Sequence, residues 1–131
     1  MEIKITIPGS VVSKKNSKIA TVVGGVHKPR RAIILPSTAY KKWENHARAN
    51  LWGTIGFVFN EPIHVEAIFF YKGNRPDLSG ACESIGDMGE GILWENDRLI
   101  ESWDGSRMIH NLKNPRTELT IRDFEIENIY N

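Results

Sequence analysis

Two aspartates occupy positions where a folded chain could use them chemically. Asp77 follows a long apolar run and precedes a segment with helical spacing, while Asp97 lies in the polar turn Glu95-Asn96-Asp97 between Leu93-Trp94 and the run that begins at Leu99. If the two apolar runs are neighbouring strands, these acids converge at one edge of a sheet. Converging carboxylates repel unless a cation or a proton stands between them, and an all-oxygen site with little His or Cys suits Mg²⁺ or Mn²⁺. Such an ion activates water and neutralises charge developing on a phosphoryl group. The competing reading makes Asp77 and Asp97 ordinary turn formers.

Charge is segregated along the chain in a way that its net value of +1 conceals. Residues 1–50 hold ten Lys or Arg against Glu2 and Glu44, a net of +8, and residues 51–131 hold seven against fourteen acids, a net of −7. Between Pro76 and Asp104 stand eight carboxylates with Arg98 as the one base. Solvated faces can differ this much by accident. The sharper reading is a basic region that binds a polyanion and serves a carboxylate cluster that holds a cation.

Other chemistries lack their signatures. There is no Gly-x-Ser-x-Gly elbow, phosphate-binding Walker loop, dinucleotide fingerprint or His-Glu-x-x-His pair, and His27, His46, His64 and His110 match no metal-ligand spacing. The lone Cys82 excludes an internal disulfide and a four-ligand zinc site, and with no neighbouring histidine it reads as a packing residue. No apolar run nears the ~20 residues that span a bilayer. The opening Met1-Glu2-Ile3-Lys4-Ile5 alternates instead of forming a secretory signal, so a cytoplasmic protein with no membrane partner is expected.

The elements that must carry these residues follow from periodicity. At 131 residues and 40% hydrophobic content, one domain covering 1–131 is expected. Ile3, Ile5 and Ile7 alternate with Glu2, Lys4 and Thr6 in an opening strand stopped by Pro8-Gly9. A polar, basic stretch at 13–18 leads into two short β-branched runs around Gly24-Gly25, which suggest a hairpin or ribbon with basic residues at its base. Ser37 caps a helix in which Tyr40, Trp43, Ala47 and Leu51 face inward, leaving Lys41, Lys42, Asn45 and Arg48 as a solvated face. The run over 63–72 predicts a buried central strand. A second helix, weakened by Gly80 and Gly86, is predicted over 79–89, with strands over 99–103 and 116–124. Strands outnumber helices without alternating strictly with them, which predicts an α+β domain with a mixed sheet and two main helices.

Arg75-Pro76-Asp77-Leu78, the helix after it with Asp87 inside, and Leu93-Trp94-Glu95-Asn96-Asp97-Arg98-Leu99-Ile100 together resemble the core of the RusA family of Holliday junction resolvases. Asn114-Pro115-Arg116-Thr117-Glu118-Leu119-Thr120-Ile121 resembles that family's closing strand. Ile5-Thr6-Ile7-Pro8-Gly9, followed by Ser13-Lys14-Lys15-Asn16, resembles its opening, so the likeness touches most of the chain. The resemblance implies a RusA-like fold and a homodimeric endonuclease, of phage or prophage type, that resolves four-way DNA junctions in recombination and repair using Mg²⁺ held by aspartates. Carried over by position, Asp77 matches the first metal-binding aspartate and Asp97 the later one, with Asn96 where the family often has a further Asp. Asp87 matches another recurrent aspartate. The chain departs from the pattern at Ser79-Gly80, where the family has Asp-Asn, and at Glu83, where it has a catalytic lysine.

A helix rises ~1.5 Å per residue, so from Ser79 the side chain of Glu83 is expected roughly 6 Å along the axis and Asp87 roughly 12 Å. Glu83 is thus expected to join Asp77 and Asp97 as metal ligand and catalytic residue. Asp87, four residues on and sharing its face, is expected to join through water or a second metal. Lys72 or Arg75 would supply the cation that the phosphate needs. The expected activity is Mg²⁺-dependent, with Mn²⁺ as a substitute, and a twofold assembly suits the two equivalent strands of a junction. Lys14, Lys15, Asn16, Lys18, Lys28, Arg30, Arg31 and Arg75 are expected to contact DNA, the basic ones through phosphates without reading sequence. The rival is a non-catalytic junction-binding or single-strand DNA-binding module, in which the changes at Ser79 and Glu83 have disabled hydrolysis. A third reading is a metal-dependent nuclease or phosphohydrolase with another substrate.

Overall fold

Three rows of side chains run straight across the sheet and form the floor of the core. In the computed structural model, Ile3, Ile121 and Val65 stand opposite one another on adjacent strands, as do Ile5, Leu119 and Ala67, and then Ile7, Thr117 and Phe69. Apart from half-buried Ile3, every member of these rows is buried. Alternation places them on one face because successive side chains of a strand point to opposite sides. The structure describes residues 1–14, 18–25 and 28–125, and for 18–25 and 28–36 it describes the backbone alone.

The strands that carry these rows are β1 (Glu2–Pro8), β4 (Ile63–Tyr71) and β7 (Arg116–Asp123), in the order β1-β7-β4, each antiparallel to its neighbour. Two short strands, β5 (Ile100–Ser102) and β6 (Arg107–His110), both run parallel to β4 along its other side. The result is a mixed sheet of five strands. Apart from it, β2 (Lys18–Gly25) and β3 (Lys28–Pro36) pair as an antiparallel ribbon. Helix α1 (Thr38–Leu51) is capped by Ser37, whose hydroxyl accepts the Tyr40 N–H, and buries Tyr40, Trp43, Ala47 and Leu51. Helix α2 (Leu78–Gly89) buries Ala81, Cys82, Ile85 and Met88 in the same cluster as the sheet rows. This is the expected α+β domain with two helices and a mixed sheet.

Four details depart from the sequence reading. The strand expected over 99–103 is only three residues long, because 97–99 form a turn of 3₁₀ helix and a tight turn follows at 103–106, with Gly105 at φ 89°. The chain then resumes as β6 on the same edge of β4, so the edge strand is interrupted, not ended. Helix α2 begins one residue earlier than expected, with Asp77 as its cap. Two of its glycines allow close approach: a Cβ at Gly80 would collide with Ser13 and Asp77, and one at Gly89 would collide with the Trp94 ring, whereas one at Gly86 would make only ordinary contact with Asp97. Lastly, Arg48 does not belong to the solvated face of α1, since its Nη1 donates to the carbonyls of Met88 at 2.9 Å and Glu90 at 3.2 Å. A cation there satisfies carbonyls at the end of α2 and complements its dipole. Among the described residues, no helix is long and apolar enough to cross a membrane.

Candidate functional site

The link from β4 through α2 to β5 is a crossover between parallel strands, and it determines where the acids go. Asp77 leaves the loop after β4 in an extended conformation, and its Oδ1 accepts the Gly80 N–H at 2.9 Å. Such an N-cap stabilises a helix by about 1 kcal/mol. Ser79, two residues on, and Glu83, about one turn beyond it, lie on the exposed side of α2. They face a groove of about 440 Å³ whose opposite wall is the 97–103 segment, with Asp97 at its polar rim and Cys82, Ile100 and Trp103 among its apolar lining. The edge strand stops at Ser102, so Trp103 is the first residue of the turn at 103–106 and lines the groove from there.

Asp97 is held by its backbone. Its N–H donates to Glu90 Oε1 at 3.1 Å, and the preceding Asn96 caps the 3₁₀ turn by accepting the Arg98 N–H at 2.8 Å. Its side chain lies against Gly86, where an added Cβ would be 3.6 Å from Asp97 Cβ and 4.0 Å from Oδ2. Burial pushes the Cys82 thiol up to about 11, so it stays protonated near neutrality and offers the groove no thiolate.

The structure therefore brings Glu83 and Asp97 into one groove and leaves Asp77 at the helix end. The strands β4 and β5 are neighbours, as the convergence of Asp77 and Asp97 required, but they are parallel, with Ile63 opposite Ile100. A residue leaving one and a residue entering the other then belong to opposite ends of the sheet. The helix between them shortens that separation: Asp77 sits at Gly80 and Asp97 at Gly86, six residues apart. Six residues of helix amount to roughly 9 Å of rise. Among the described residues, no three His, Cys, Asp or Glu side chains gather closely enough to hold a metal.

The other expected site residues are distributed as follows. Asp87 is directed at Lys14, whose Nζ lies 3.4 Å from its Oδ2. Arg75 is exposed in the loop before Asp77. Lys15 and Asn16 lie outside the described residues, as do the side chains of Lys18, Lys28, Arg30 and Arg31, although the β2 and β3 backbones that carry those four are described. Reading the sequence missed Trp103 as a groove wall, because a continuous strand through 99–103 gave no reason to single it out. The Asp104-Gly105 pair after it was the available signal for a turn.

A magnesium ion is commonly held by one or two carboxylates, with water and substrate phosphate completing its shell. Glu83, Asp97 and the Ser79 hydroxyl provide oxygen donors of that kind, and the protonated Cys82 does not compete as a soft ligand. By type these are hard oxygen donors, the kind that Mg²⁺ and Mn²⁺ take. Compared with known protein families and with characterised proteins, the chain matches none.

Proposed function

We propose that this protein is a Mg²⁺-dependent, structure-selective endodeoxyribonuclease of the RusA type that cuts four-way DNA junctions as a homodimer. The observation that carries the reading is the open groove in which Glu83 of α2 and Asp97 of the 3₁₀ turn, carboxylates from two different elements, line one space beside Ser79. Glu83, Asp97 and Ser79 would hold the ion, with Asp77 at the helix end nearby. A bound Mg²⁺ supplies an activated water and neutralises charge at the scissile phosphate. The chain's own part is to keep the acids in place before substrate arrives: Asp97 through the bond of its N–H to Glu90 and the Asn96 cap on the Arg98 N–H of the same turn, and Glu83 through the helix that carries it. Arg75, two residues before Asp77, and Arg98, next to Asp97, would bring positive charge to the strand being cut. Basic residues of the ribbon add affinity without sequence readout.

The second reading, a junction-binding or single-strand DNA-binding module without hydrolysis, is favoured by two observations. An oxygen of Asp77 is committed to the Gly80 N–H, and no three ligating side chains meet among the described residues. Incubating a labelled four-way junction with and without Mg²⁺ separates the two. The nuclease cuts only with the metal, and the binding module retards the junction in both conditions and cuts it in neither.

A further inference from the structure

Ser84 is fully buried on the flank of α2 that faces the N-terminal segment. Its Oγ donates to the Val12 carbonyl at 2.8 Å and accepts the Lys14 N–H at 3.0 Å, so one side chain satisfies two backbone groups of an extended segment. Three residues on, Asp87 takes the Lys14 ammonium at 3.4 Å. Four residues earlier, Gly80 leaves space for Ser13, which is itself buried. Gly80, Ser84 and Asp87 follow the spacing of a single helix face, and together they grip residues 12–14 over nearly two turns of α2. From the other side, Lys14 Nζ stands 5.8 Å from the centre of the Tyr40 ring, and the Tyr40 hydroxyl donates to Glu44 at 2.6 Å.

Lys14 and Ser37 are the two roots of the β2–β3 ribbon. Ser37 caps α1 on the Tyr40 N–H, so both roots are held at the same place, where the start of α1 meets α2. We infer that Ser84 and Asp87 are positioning residues that lock the root of the basic ribbon to the helix carrying the groove acids, so that ribbon and groove engage one nucleic-acid strand in a fixed relation. Asp87 then serves Lys14 and not a metal. The role of the anchored ribbon rests on the nuclease reading, while the anchor itself is independent of it.

The test is a charge exchange. The variants Asp87→Lys, Lys14→Asp and the double exchange are compared by hydrogen exchange of the amides at 12–14 without DNA, and by anisotropy of a labelled four-way junction in EDTA. A third readout is the Mg²⁺ dependence of cleavage. Asp87→Lys is expected to release the segment and weaken junction binding about 10-fold or more, since re-ordering even one or two freed residues on binding costs about that much. The double exchange restores slow exchange and brings affinity to within about threefold of the parent, while the Mg²⁺ midpoint of cleavage stays where it was. A single variant with unchanged exchange and binding overturns the inference. So does a shifted Mg²⁺ midpoint that the double exchange fails to restore, because that is the behaviour of a ligand. If the parent neither binds nor cuts the junction, the nuclease reading fails, and the exchange rates of 12–14 still decide the anchor.

Discussion

The two flanks of α2 use their polar groups in opposite ways. On the ribbon side, Ser84 is bonded twice and Asp87 is paired with Lys14. On the groove side, Glu83 and the Asp97 carboxylate have no ion pair or hydrogen bond among the described residues, although both are polar rim groups of one open space. Carboxylates satisfied by neighbours contribute structure, whereas those left unsatisfied on one groove retain their capacity for a ligand. That difference distinguishes Asp87 from Glu83 even though the two lie four residues apart on one helix.

The largest expected effect tests the groove side. Glu83→Gln should lower Mg²⁺-dependent cleavage by more than ~100-fold, beyond the range typical of residues that only support a ligand. Junction binding should be unchanged or stronger, because a charge that repels phosphate has been removed. Full activity of Glu83→Gln would return that residue to an ordinary solvated helix position. Asp77→Asn separates charge from capping at the same helix. Asn is as good a cap as Asp, so melting temperature should hold, and because Asp77 lies outside the groove lining cleavage should fall less than for Glu83→Gln.

Gly80→Ala should cost about 1–3 kcal/mol, the usual range for overpacking, because Ser13 and Asp77 occupy the space its methyl needs. Denaturant unfolding measures it, and the gain of up to about 1 kcal/mol that an exposed helical Gly→Ala gives would mean that the segment gives way freely. A subtler contrast lies between the root of the ribbon and the ribbon itself. Neutralising Lys15, Lys18 and Arg30 together should flatten the salt dependence of junction binding by up to roughly three in the log–log slope, at ~0.9 per phosphate contact. Lys14→Ala should change that slope less than any one of them, since its ammonium already faces Asp87. Equal slopes for all four would erase the distinction.

The smallest effect concerns pH. Burial raises the Cys82 thiol from an ordinary value of 9.0 to about 11. Tyr40 is raised as well, by burial first and then by its hydrogen bond to Glu44 and the charges of Glu44 and Asp87. The folded chain holds protons that the unfolded chain releases at lower pH, so these groups contribute fully below the unfolded values, and stability falls as pH climbs past about 9. Cys82→Ala should flatten the first part of that decline in alkaline unfolding curves. A decline that keeps its shape would assign it to Tyr40 alone.

Local patterns in the sequence were enough for much of this frame, and topology accounts for what they missed. The alternation of Ile3, Ile5 and Ile7 and the spacing of Tyr40, Trp43, Ala47 and Leu51 are properties of short windows, and each element formed where its pattern lies. That β4 and β5 are parallel is not a property of either window, because it depends on how α2 returns across the sheet. This is why Asp77 and Asp97 could be singled out one at a time while their meeting place could not. Gly80 and Gly86 read as weak points because propensity counts only the backbone, whereas Gly80 makes room for residue 13 and Gly89, which the sequence does not single out, makes room for residue 94. As one of eight carboxylates between Pro76 and Asp104, Glu83 stood out only through a resemblance. Its sharing a groove with Asp97, and Asp87 turning to Lys14, needed the packing of three separate segments.

The groove acids are tested most directly by cleavage of an end-labelled four-way junction in Mg²⁺ and in EDTA, using the parent chain and Asp97→Asn at concentrations where anisotropy shows both bound. The account expects symmetric nicks in two opposed strands with Mg²⁺, none in EDTA, and none from Asp97→Asn despite its binding. Undiminished nicking by Asp97→Asn, or a bound parent chain that cuts nothing in either Mg²⁺ or Mn²⁺, would contradict it.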